Sequence, residues 1–200
     1  MLDRAQYIPG PASGAKIRKD RGQNGEEKWT LILVRELRHS PEKVWEAITD
    51  PAHLREWAPF DADGNLGTAG AKVKLTTVGA PAPRVTETSV TRADAPEVLE
   101  YKWGDFDMRW ELEGLQLDDL RSGTRLTLWT NIGHRFIAMG AAGWHICFDV
   151  LDRLLSGVPI GRLVGPDAIK FGGWQRLHAE YAKQFGVETV NWPPQSGQKS

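Results

Sequence analysis

The chain has 200 residues, 40% of them hydrophobic and 26% charged, which is the composition of a globular protein with a buried core. Its formal net charge of −1 leaves no excess of basic side chains to neutralise a phosphate backbone, so nucleic acid is not an expected partner. The single cysteine, Cys147, excludes an internal disulfide, and no apolar run approaches the ~18 residues of a membrane span, so no stable membrane insertion is expected.

The first 28 residues are predicted to form a flexible N-terminal tail. They are rich in glycine and charge, and therefore offer too little apolar surface to offset the entropy of ordering. Two other interpretations stay open for this segment: an added edge strand, or a basic anchor formed by Lys16, Arg18, Lys19 and Arg21. The segment lacks the apolar stretch of a secretory signal, which, with the single cysteine, predicts a cytoplasmic protein.

A strand and two short helices are predicted next. Residues 29–38 (WTLILVRELR) are rich in apolar and β-branched side chains, which favours a strand. A helix is predicted over 40–50, with Ser40 as its N-terminal cap. Asp50 ends this helix, and a second short helix is predicted to begin at Pro51.

Five further strands are predicted in series, because short alternating runs of apolar and polar residues are separated by turn sequences. In one of them Leu99, Tyr101 and Trp103 share a face, while Glu100 and Lys102 share the other. Strands of this kind favour an antiparallel sheet that is covered on one side only. The five predicted strands are residues 71–78, 84–93, 97–104, 107–115 and 124–132.

Two helices remain to cover the apolar face of that sheet. Apolar side chains recur at helical spacing over residues 138–156 and again over 167–185, where Gly186 is a suitable C-cap. The order of elements predicts an α+β domain in which a long C-terminal helix lies across a curved antiparallel sheet and leaves a cavity between the two. Residues 188–200 are predicted to form a C-terminal tail.

Ordered blocks of sequence carry a family likeness. The segment RELRHSPEKVWEAITDPAHLREW (35–57) is followed by APEVLEYKWG (95–104), GTRLTLWTNIG (123–133), GWHICFDVLDRLLSG (143–157) and GWQRLHAEYAKQFG (173–186). This series resembles the START-like, or SRPBCC, superfamily, and in particular its branch related to the C-terminal domain of the heat-shock-protein-90 ATPase activator. Ser40 stands where that branch usually has alanine.

The resemblance implies the helix-grip fold, a curved antiparallel sheet wrapped around a long C-terminal helix, in a START-like domain at residues 29–187 with an internal apolar pocket. It implies no particular reaction, because the superfamily includes lipid and hormone carriers, cyclases, dioxygenase domains and cochaperones.

His145 and Cys147 raise the question of catalysis. Two residues that are two positions apart on a helix point about 200° away from each other, so this pair is not expected to meet. Cys147 lies on the apolar stripe and is predicted to pack in the core. The five histidines form no metal-binding motif, and no phosphate-binding glycine motif is present, so neither a metal nor a cofactor is predicted.

The candidate site is built from aromatic residues and a few polar groups. The chain has nine tryptophans, and those at inward positions either fill the interior or line a cavity; both interpretations stay open. Arg35 shares the phase of Leu33 and Leu37, and Glu87 is its candidate carboxylate partner, either in a structural ion pair or beside a ligand anchor. The predicted ligand-binding residues are Arg35, Trp57, Glu87, Tyr101, Trp103, Trp110, Thr130, His134, Trp144 and Phe148.

These features predict a protein that binds a small hydrophobic molecule, aromatic or polycyclic, in the internal pocket. The alternative is a cyclase- or hydratase-type enzyme that uses the same pocket, with His134, Tyr101 and Glu87 as its acid or base. A third hypothesis is a chaperone-associated interaction module, which the mixed surface charge does not support. Whether the protein forms a homodimer is left open.

Overall fold

The computed structural model describes residues 4–22, 24–80, 82–116 and 122–191 of an α+β domain, so the predicted fold class is confirmed. The described strands are β1 (Ala15–Arg21), β2 (Glu27–Leu37), β3 (Phe60–Ala62), β4 (Lys72–Thr77), β5 (Val85–Ser89), β6 (Arg92–Asp94), β7 (Val98–Trp103), β8 (Phe106–Gln116) and β9 (Ser122–Asn131). The described helices are α1 (Pro41–Thr49), α2 (Pro51–Trp57), α3 (Ile137–Leu155), α4 (Pro166–Lys170) and α5 (Trp174–Phe185).

The strands form two antiparallel sheets, a large one in the order β1-β2-β9-β8-β7-β6 and a small one in the order β3-β4-β5. In the large sheet the register places Leu128 of β9 opposite both Leu33 of β2 and Trp110 of β8, and all three side chains are buried. The alternate residues carry charge, as in the Arg109–Glu111 ion pair. The sheet is therefore covered on one face, as its alternation predicts.

The predicted N-terminal tail is wrong for residues 15–21, which form the edge strand β1. This strand pairs with β2 along its whole length, from Ala15 opposite Leu33 to Arg21 opposite Glu27. Ala15 is buried and Ile17 packs against the core. Apolar and charged residues therefore alternate along this strand, although most of its residues are charged. The alternative of an added edge strand is the one observed. It gains its order from backbone pairing with β2, the next strand along the chain, which composition does not register.

Helices α1 and α2 begin where their caps predict. The Ser40 hydroxyl accepts a hydrogen bond from the Lys43 amide (3.4 Å), and the Asp50 carboxylate accepts one from the Ala52 amide (2.7 Å). Each helix has proline at its first position, where no amide hydrogen is needed. Asp50 therefore ends one helix and caps the next.

The strand predicted over 84–93 is split between the two sheets. Residues up to Ser89 pair with β4, whereas those from Arg92 pair with β7. The change occurs at Val90, whose amide donates to the Ala71 carbonyl, and Thr91, whose amide donates to the Glu100 carbonyl. The pattern of apolar residues continues across this exchange of partners, so one strand was predicted where the chain forms two.

The helix at the centre of the fold is α3, which packs between the large sheet and α5. Most residues of α3 are buried, because the sheet covers one side of the helix and α5 covers the other. The single helix predicted over 167–185 is wrong, because the chain breaks at Gly172 and Gly173 into α4 and α5. Gly173 has a positive φ of 61°, and a Cβ on Gly172 would lie 2.6 Å from the Ala168 carbonyl oxygen.

The ends of the chain are described only in part. Residues 188–191 form neither helix nor strand, and the rest of the predicted C-terminal tail lies outside the described residues. Within the described ranges, no helix combines the length and apolarity needed to cross a lipid bilayer.

Candidate functional site

A cavity of about 320 Å³ lies beside the N-terminal half of α3. It is enclosed by the end of β4 and its following loop, the adjoining ends of β7, β8 and β9, helix α3, and the segment that leads through α4 to α5. Exposed side chains at Ala80 and Phe106 mark its outer rim. Its lining residues are Pro59, Thr77, Val78, Gly79, Ala80, Trp103, Phe106, Thr130, Ile132, Met139, Gly140, Gly143, Trp144, Cys147, Leu163, Val164, Gly165, Ala168, Ile169 and Trp174.

The lining is uncharged among the described residues and is dominated by aromatic and aliphatic side chains. The indole N–H of Trp103 is satisfied, since it donates to the Thr77 hydroxyl at 3.1 Å. No acceptor for the indole N–H of Trp144 or Trp174 is found in the described part of the chain, although each residue is only 7% exposed. The cavity walls thus include two indoles whose N–H groups are unpaired among the described residues.

Behind the cavity the interior is filled by a packed aromatic cluster. The ring of Trp110 lies 6.0 Å from Trp57, 5.6 Å from Trp144 and 6.0 Å from Phe148, and the contacts with the two indoles are nearly perpendicular. The Trp57 indole donates to the Ala47 carbonyl (2.9 Å). Both sequence-based interpretations of the tryptophans therefore apply, each to a different part of the interior.

Four of the predicted ligand-binding residues belong to this packed interior and not to the cavity lining. Trp57, Tyr101, Trp110 and Phe148 are at most 2% exposed. The Trp110 indole N–H donates to the Tyr101 hydroxyl at 3.2 Å, so this donor is satisfied within the interior. Sequence phase placed these rings on the inward face correctly. Whether an inward ring touches the cavity depends on how closely α3 approaches the sheet at that position.

Three predicted residues do line the cavity: Trp103, Thr130 and Trp144. Thr130 extends from β9, and its hydroxyl contacts the sulfur of Met108 at 3.5 Å. Trp144 of α3 stands 6.2 Å from Trp103 of β7, with the two rings nearly perpendicular. Their role in ligand binding stays a prediction, but their positions are suited to it.

The predicted pairing of Arg35 with Glu87 is wrong. Arg35 pairs with Asp149 of α3 at 2.8 Å, whereas Glu87 lies on the small sheet, is largely exposed and pairs with Lys74 at 3.6 Å. Neither residue lines the cavity. Since β5 belongs to the small sheet, its side chains do not reach the inner face of β2.

His134 also lies away from the cavity lining. Its exposed ring stacks on Trp29, with the ring centroids 4.1 Å apart. The three residues considered for acid–base chemistry, His134, Tyr101 and Glu87, are therefore not brought together in the described structure.

A buried polar network surrounds Asp149, on the side of α3 away from the cavity lining. Besides Arg35, its carboxylate accepts a hydrogen bond from the Tyr7 hydroxyl (2.6 Å) and lies 3.6 Å from the Nε2 atom of His145. The other ring nitrogen of His145 contacts the Tyr181 hydroxyl at 2.8 Å. Burial lowers the pKa of His145, and the nearby Asp149 carboxylate opposes this effect only in part.

Cys147 combines core packing with a place on the cavity wall. It is 3% exposed, and burial raises the pKa of its thiol to about 12, so the thiolate needed for nucleophilic chemistry is disfavoured. Within the described ranges, no group of three or more His, Cys, Asp and Glu side chains is placed to hold a metal ion.

The part of the lining that loops contribute was not predicted from the sequence. Val78 to Ala80 follow β4, and Leu163 to Gly165 precede α4, so neither stretch has the periodicity that identifies a helix or strand. Their glycines were the only local signal. Gly143 was visible as part of a small-residue run, but its exposure to the cavity depends on the distance between α3 and the sheet.

Comparisons with known proteins agree with the resemblance found in the sequence. A family model described as "Activator of Hsp90 ATPase homolog 1-like protein" matches residues 38–156, which is more than half of the chain. No match is found among curated proteins.

Several solved structures share the fold. The crystal structure of CalU16 from Micromonospora echinospora is 19% identical, with a TM-score of 0.58, and the alignment covers 86% of this chain and 98% of that one. A conserved protein of unknown function from Enterococcus faecalis, EF2215, is 15% identical, with a TM-score of 0.59 and coverage of 86% and 91%. At these identities the similarity establishes the fold alone.

Proposed function

Because this chain belongs to the Activator of Hsp90 ATPase homolog 1-like family, whose fold commonly encloses a hydrophobic ligand, we propose that its cavity binds a small, uncharged, aromatic molecule. The main support for this proposal is the composition of the cavity lining. It contains three indole rings and, among the described residues, no charged side chain. Transfer of an ion into such a site costs far more than apolar contact returns. The ligand is therefore neutral.

The dimensions of the cavity favour a small, flat ligand. Its volume of about 320 Å³ lies at the lower end of the range for ligand pockets. The nearly perpendicular rings of Trp103 and Trp144 would present one ring face and one ring edge to a guest. Aromatic guests make favourable contacts of both kinds.

The two available indole donors contribute specificity as well as affinity. A ligand that buries about 300 Å² of apolar surface gains roughly 7.5 kcal/mol, and association costs at least ~4 kcal/mol. What remains corresponds to millimolar binding. Hydrogen bonds from Trp144 and Trp174, at ~1 kcal/mol each, would bring the dissociation constant to roughly 100 µM. We therefore infer that the ligand has at least one acceptor, such as a carbonyl or ether oxygen.

Binding is favoured over catalysis because the groups considered for acid–base chemistry lie elsewhere. His134 stacks at the surface, Tyr101 is committed to Trp110, and Glu87 extends from the small sheet. A chaperone-associated role, a homodimer and a cytoplasmic location stay predictions, without a specific contact in the described structure that favours them.

The proposal is tested with two dyes that share one ring system and differ in charge. Prodan, 6-propionyl-2-(dimethylamino)naphthalene, is neutral and has a carbonyl acceptor, whereas 6-(dimethylamino)naphthalene-2-sulfonate carries a fixed negative charge. Titration of each into the protein, followed by dye fluorescence and tryptophan quenching, is expected to show saturable binding of the neutral dye and at least ~10-fold weaker binding of the anion. Equal affinity for the two dyes would reject an uncharged site.

A filling variant locates the binding to this cavity. A Cβ on Gly143 would meet no atom within 4 Å, so the side chain of Gly143→Leu has space to enter the cavity. This variant is expected to fold and to lose binding of the neutral dye, whereas Gly143→Ala, which occupies far less volume, retains most of it. Unchanged binding in Gly143→Leu would place the dye elsewhere.

A further inference from the structure

An N-terminal strap, defined as residues Arg4–Ser13, crosses the surface formed by α3, α4 and α5. Its middle is fixed by Tyr7, which is 5% exposed and donates to Asp149, while the neighbouring Ile8 is 81% exposed. Its later part is held from α5, where Arg176 donates to the Pro9 carbonyl at 2.6 Å and Tyr181 donates to the Ser13 carbonyl at 2.8 Å. The strap is thus a thin layer attached at separate points.

The first residue of the strap holds one wall of the cavity. The Arg4 guanidinium donates to the backbone carbonyl of Arg162 and to the Asp167 carboxylate at 3.1 Å. The same cation lies 5.8 Å from the centre of the Phe171 ring. These three residues belong to, or directly precede, the segment Leu163–Gly172, which contributes five residues to the cavity lining. We call this segment the outer wall.

The outer wall has little support of its own. It contains only the five-residue helix α4, and its backbone hydrogen bonds are local, such as those from Ile169 to Gly165 (3.4 Å) and from Gly172 to Ala168 (3.0 Å). One end is fixed where Arg162 binds the Asp61 carboxylate at 2.6 Å. The other end is Gly173, where the positive φ of 61° allows a change in chain direction and Pro9 of the strap lies close by.

The outer wall meets the loop after β4 at a close contact between two glycines. A Cβ on Gly165 would lie 2.1 Å from the Gly79 carbonyl oxygen, and one on Gly79 would lie 2.9 Å from the Gly165 amide nitrogen. The two backbones therefore meet without side chains between them. Separation at this contact itself breaks no side-chain packing, whereas Leu163 and Ala168 of the outer wall are buried and keep the closed position favoured.

We infer that the outer wall is a gate of the cavity, and that the strap, through Arg4, is the clasp that keeps this gate closed. The Arg4–Asp167 ion pair joins side chains that are 39% and 45% exposed, so it is individually weak. The clasp can therefore release while the partly buried contacts of Tyr7 and Ser13 and both sheets stay in place. Release widens the mouth of the cavity at Ala80 and Phe106, which admits a ligand, and closure narrows it. The inference rests on the proposed function only in taking the cavity as the ligand site.

The rate at which Cys147 is alkylated measures the opening of the gate directly, without any ligand. It is the only cysteine in the chain, it lines the cavity, and it is 3% exposed. Alkylation by uncharged N-ethylmaleimide, followed by intact mass, therefore reports how often the cavity opens. Arg4→Ala is expected to accelerate labelling about five- to tenfold, since it removes a charged hydrogen bond and a partly exposed ion pair.

A matched control separates gate opening from general loosening. Arg92→Ala removes an arginine–aspartate pair of similar exposure within β6, far from the strap, and is expected to leave the labelling rate unchanged. Amide hydrogen exchange in Arg4→Ala should increase over residues 162–173 and stay unchanged in β8 and β9. Tyr7→Phe, which loses the bond to Asp149, is expected to accelerate labelling to a smaller extent.

Equal labelling rates in the original protein and in Arg4→Ala would overturn the inference. So would faster labelling that is accompanied by equally faster exchange in β8 and β9, since that pattern indicates global unfolding. If the neutral dye fails to bind while labelling responds to Arg4, the proposed ligand is wrong and the gate remains. If the dye binds but its rates of binding and release are the same in Arg4→Ala, the gate is wrong and the ligand site remains.

Discussion

The two halves of helix α3 contact their surroundings in different ways. The C-terminal half presents Phe148, Leu151 and Leu155, which are buried against neighbouring side chains. The N-terminal half presents Gly140 and Gly143, and there the cavity opens. One continuous helix thus lines a filled core at one end and an apolar cavity at the other, because glycines replace larger side chains where the walls stay apart.

The two glycines serve opposite purposes within that N-terminal half. A Cβ on Gly140 would come within 2.6 Å of Ile132, so the absence of a side chain there permits close approach. Gly143, one turn further along, faces empty space. Glycine therefore brings α3 close to the end of β9 at one position and leaves room for a guest at the next.

The largest expected difference between the two regions concerns their tryptophans. Trp110→Ala in the packed cluster should lower the free energy of unfolding by about 3–5 kcal/mol, because it leaves a void among Trp57, Trp144 and Phe148. Trp103→Ala, at the half-buried cavity wall, should cost about 1–2 kcal/mol. Urea unfolding of both variants measures these losses. Equal losses would mean that the cavity wall is packed as tightly as the cluster.

The polar network gives the next largest expected effect. Asp149→Asn keeps the shape of the side chain but removes the charge that Arg35 and Tyr7 share, at an expected cost of about 1.5–3 kcal/mol. Asp152→Asn, less than one turn further along and half exposed, is the control and should change stability by less than about 0.5 kcal/mol. Chemical denaturation distinguishes them, and a neutral Asp149→Asn would show that the network adds no stability.

Protonation of His145 should make the same region sensitive to acid. Burial lowers the pKa of this histidine in the folded state, so the unfolded chain binds its proton at higher pH than the native protein does. The stability contributed by neutral His145 is complete above the unfolded pKa of about 6.5 and is lost as the pH falls through the folded value.

The free energy of unfolding at pH 7.5 and 5.5 measures this effect. His145→Gln is expected to reduce the acid-induced loss, although not to abolish it, since burial also lowers the pKa of His39 and His178. His134→Gln, at an exposed ring, is the control and should leave the loss unchanged. An identical loss in His145→Gln and the original protein would contradict the assignment.

The smallest expected effect separates the two glycines of α3. Gly143→Ala should stabilise the protein by about 0.5–1 kcal/mol, since alanine favours the helix and its methyl group meets no atom. Gly140→Ala gains the same helix propensity but must displace the end of the Ile132 side chain, so it should be less stable than Gly143→Ala. Thermal unfolding resolves the two. Equal melting temperatures would indicate that Ile132 moves without cost.

Local signals were sufficient for much of the fold. Ser40 and Asp50 with their following prolines mark two helix starts, and alternation identifies strands such as β7 and β8. Helix caps and strand alternation depend only on residues that are close together in the chain, so the sequence alone is enough to predict them. The α+β class, the sheet with one covered face and the family resemblance follow from them.

Pairing between separate elements of the chain decided the rest. The highly charged β1 is ordered by β2, Arg35 finds Asp149 on α3 and not Glu87, and the run 84–93 divides between two sheets. The sequence by itself determined which side chains face inward, because that follows from local periodicity. Only the tertiary structure decided which of them touch one another and which face an empty space, because that depends on distances between elements far apart in the chain.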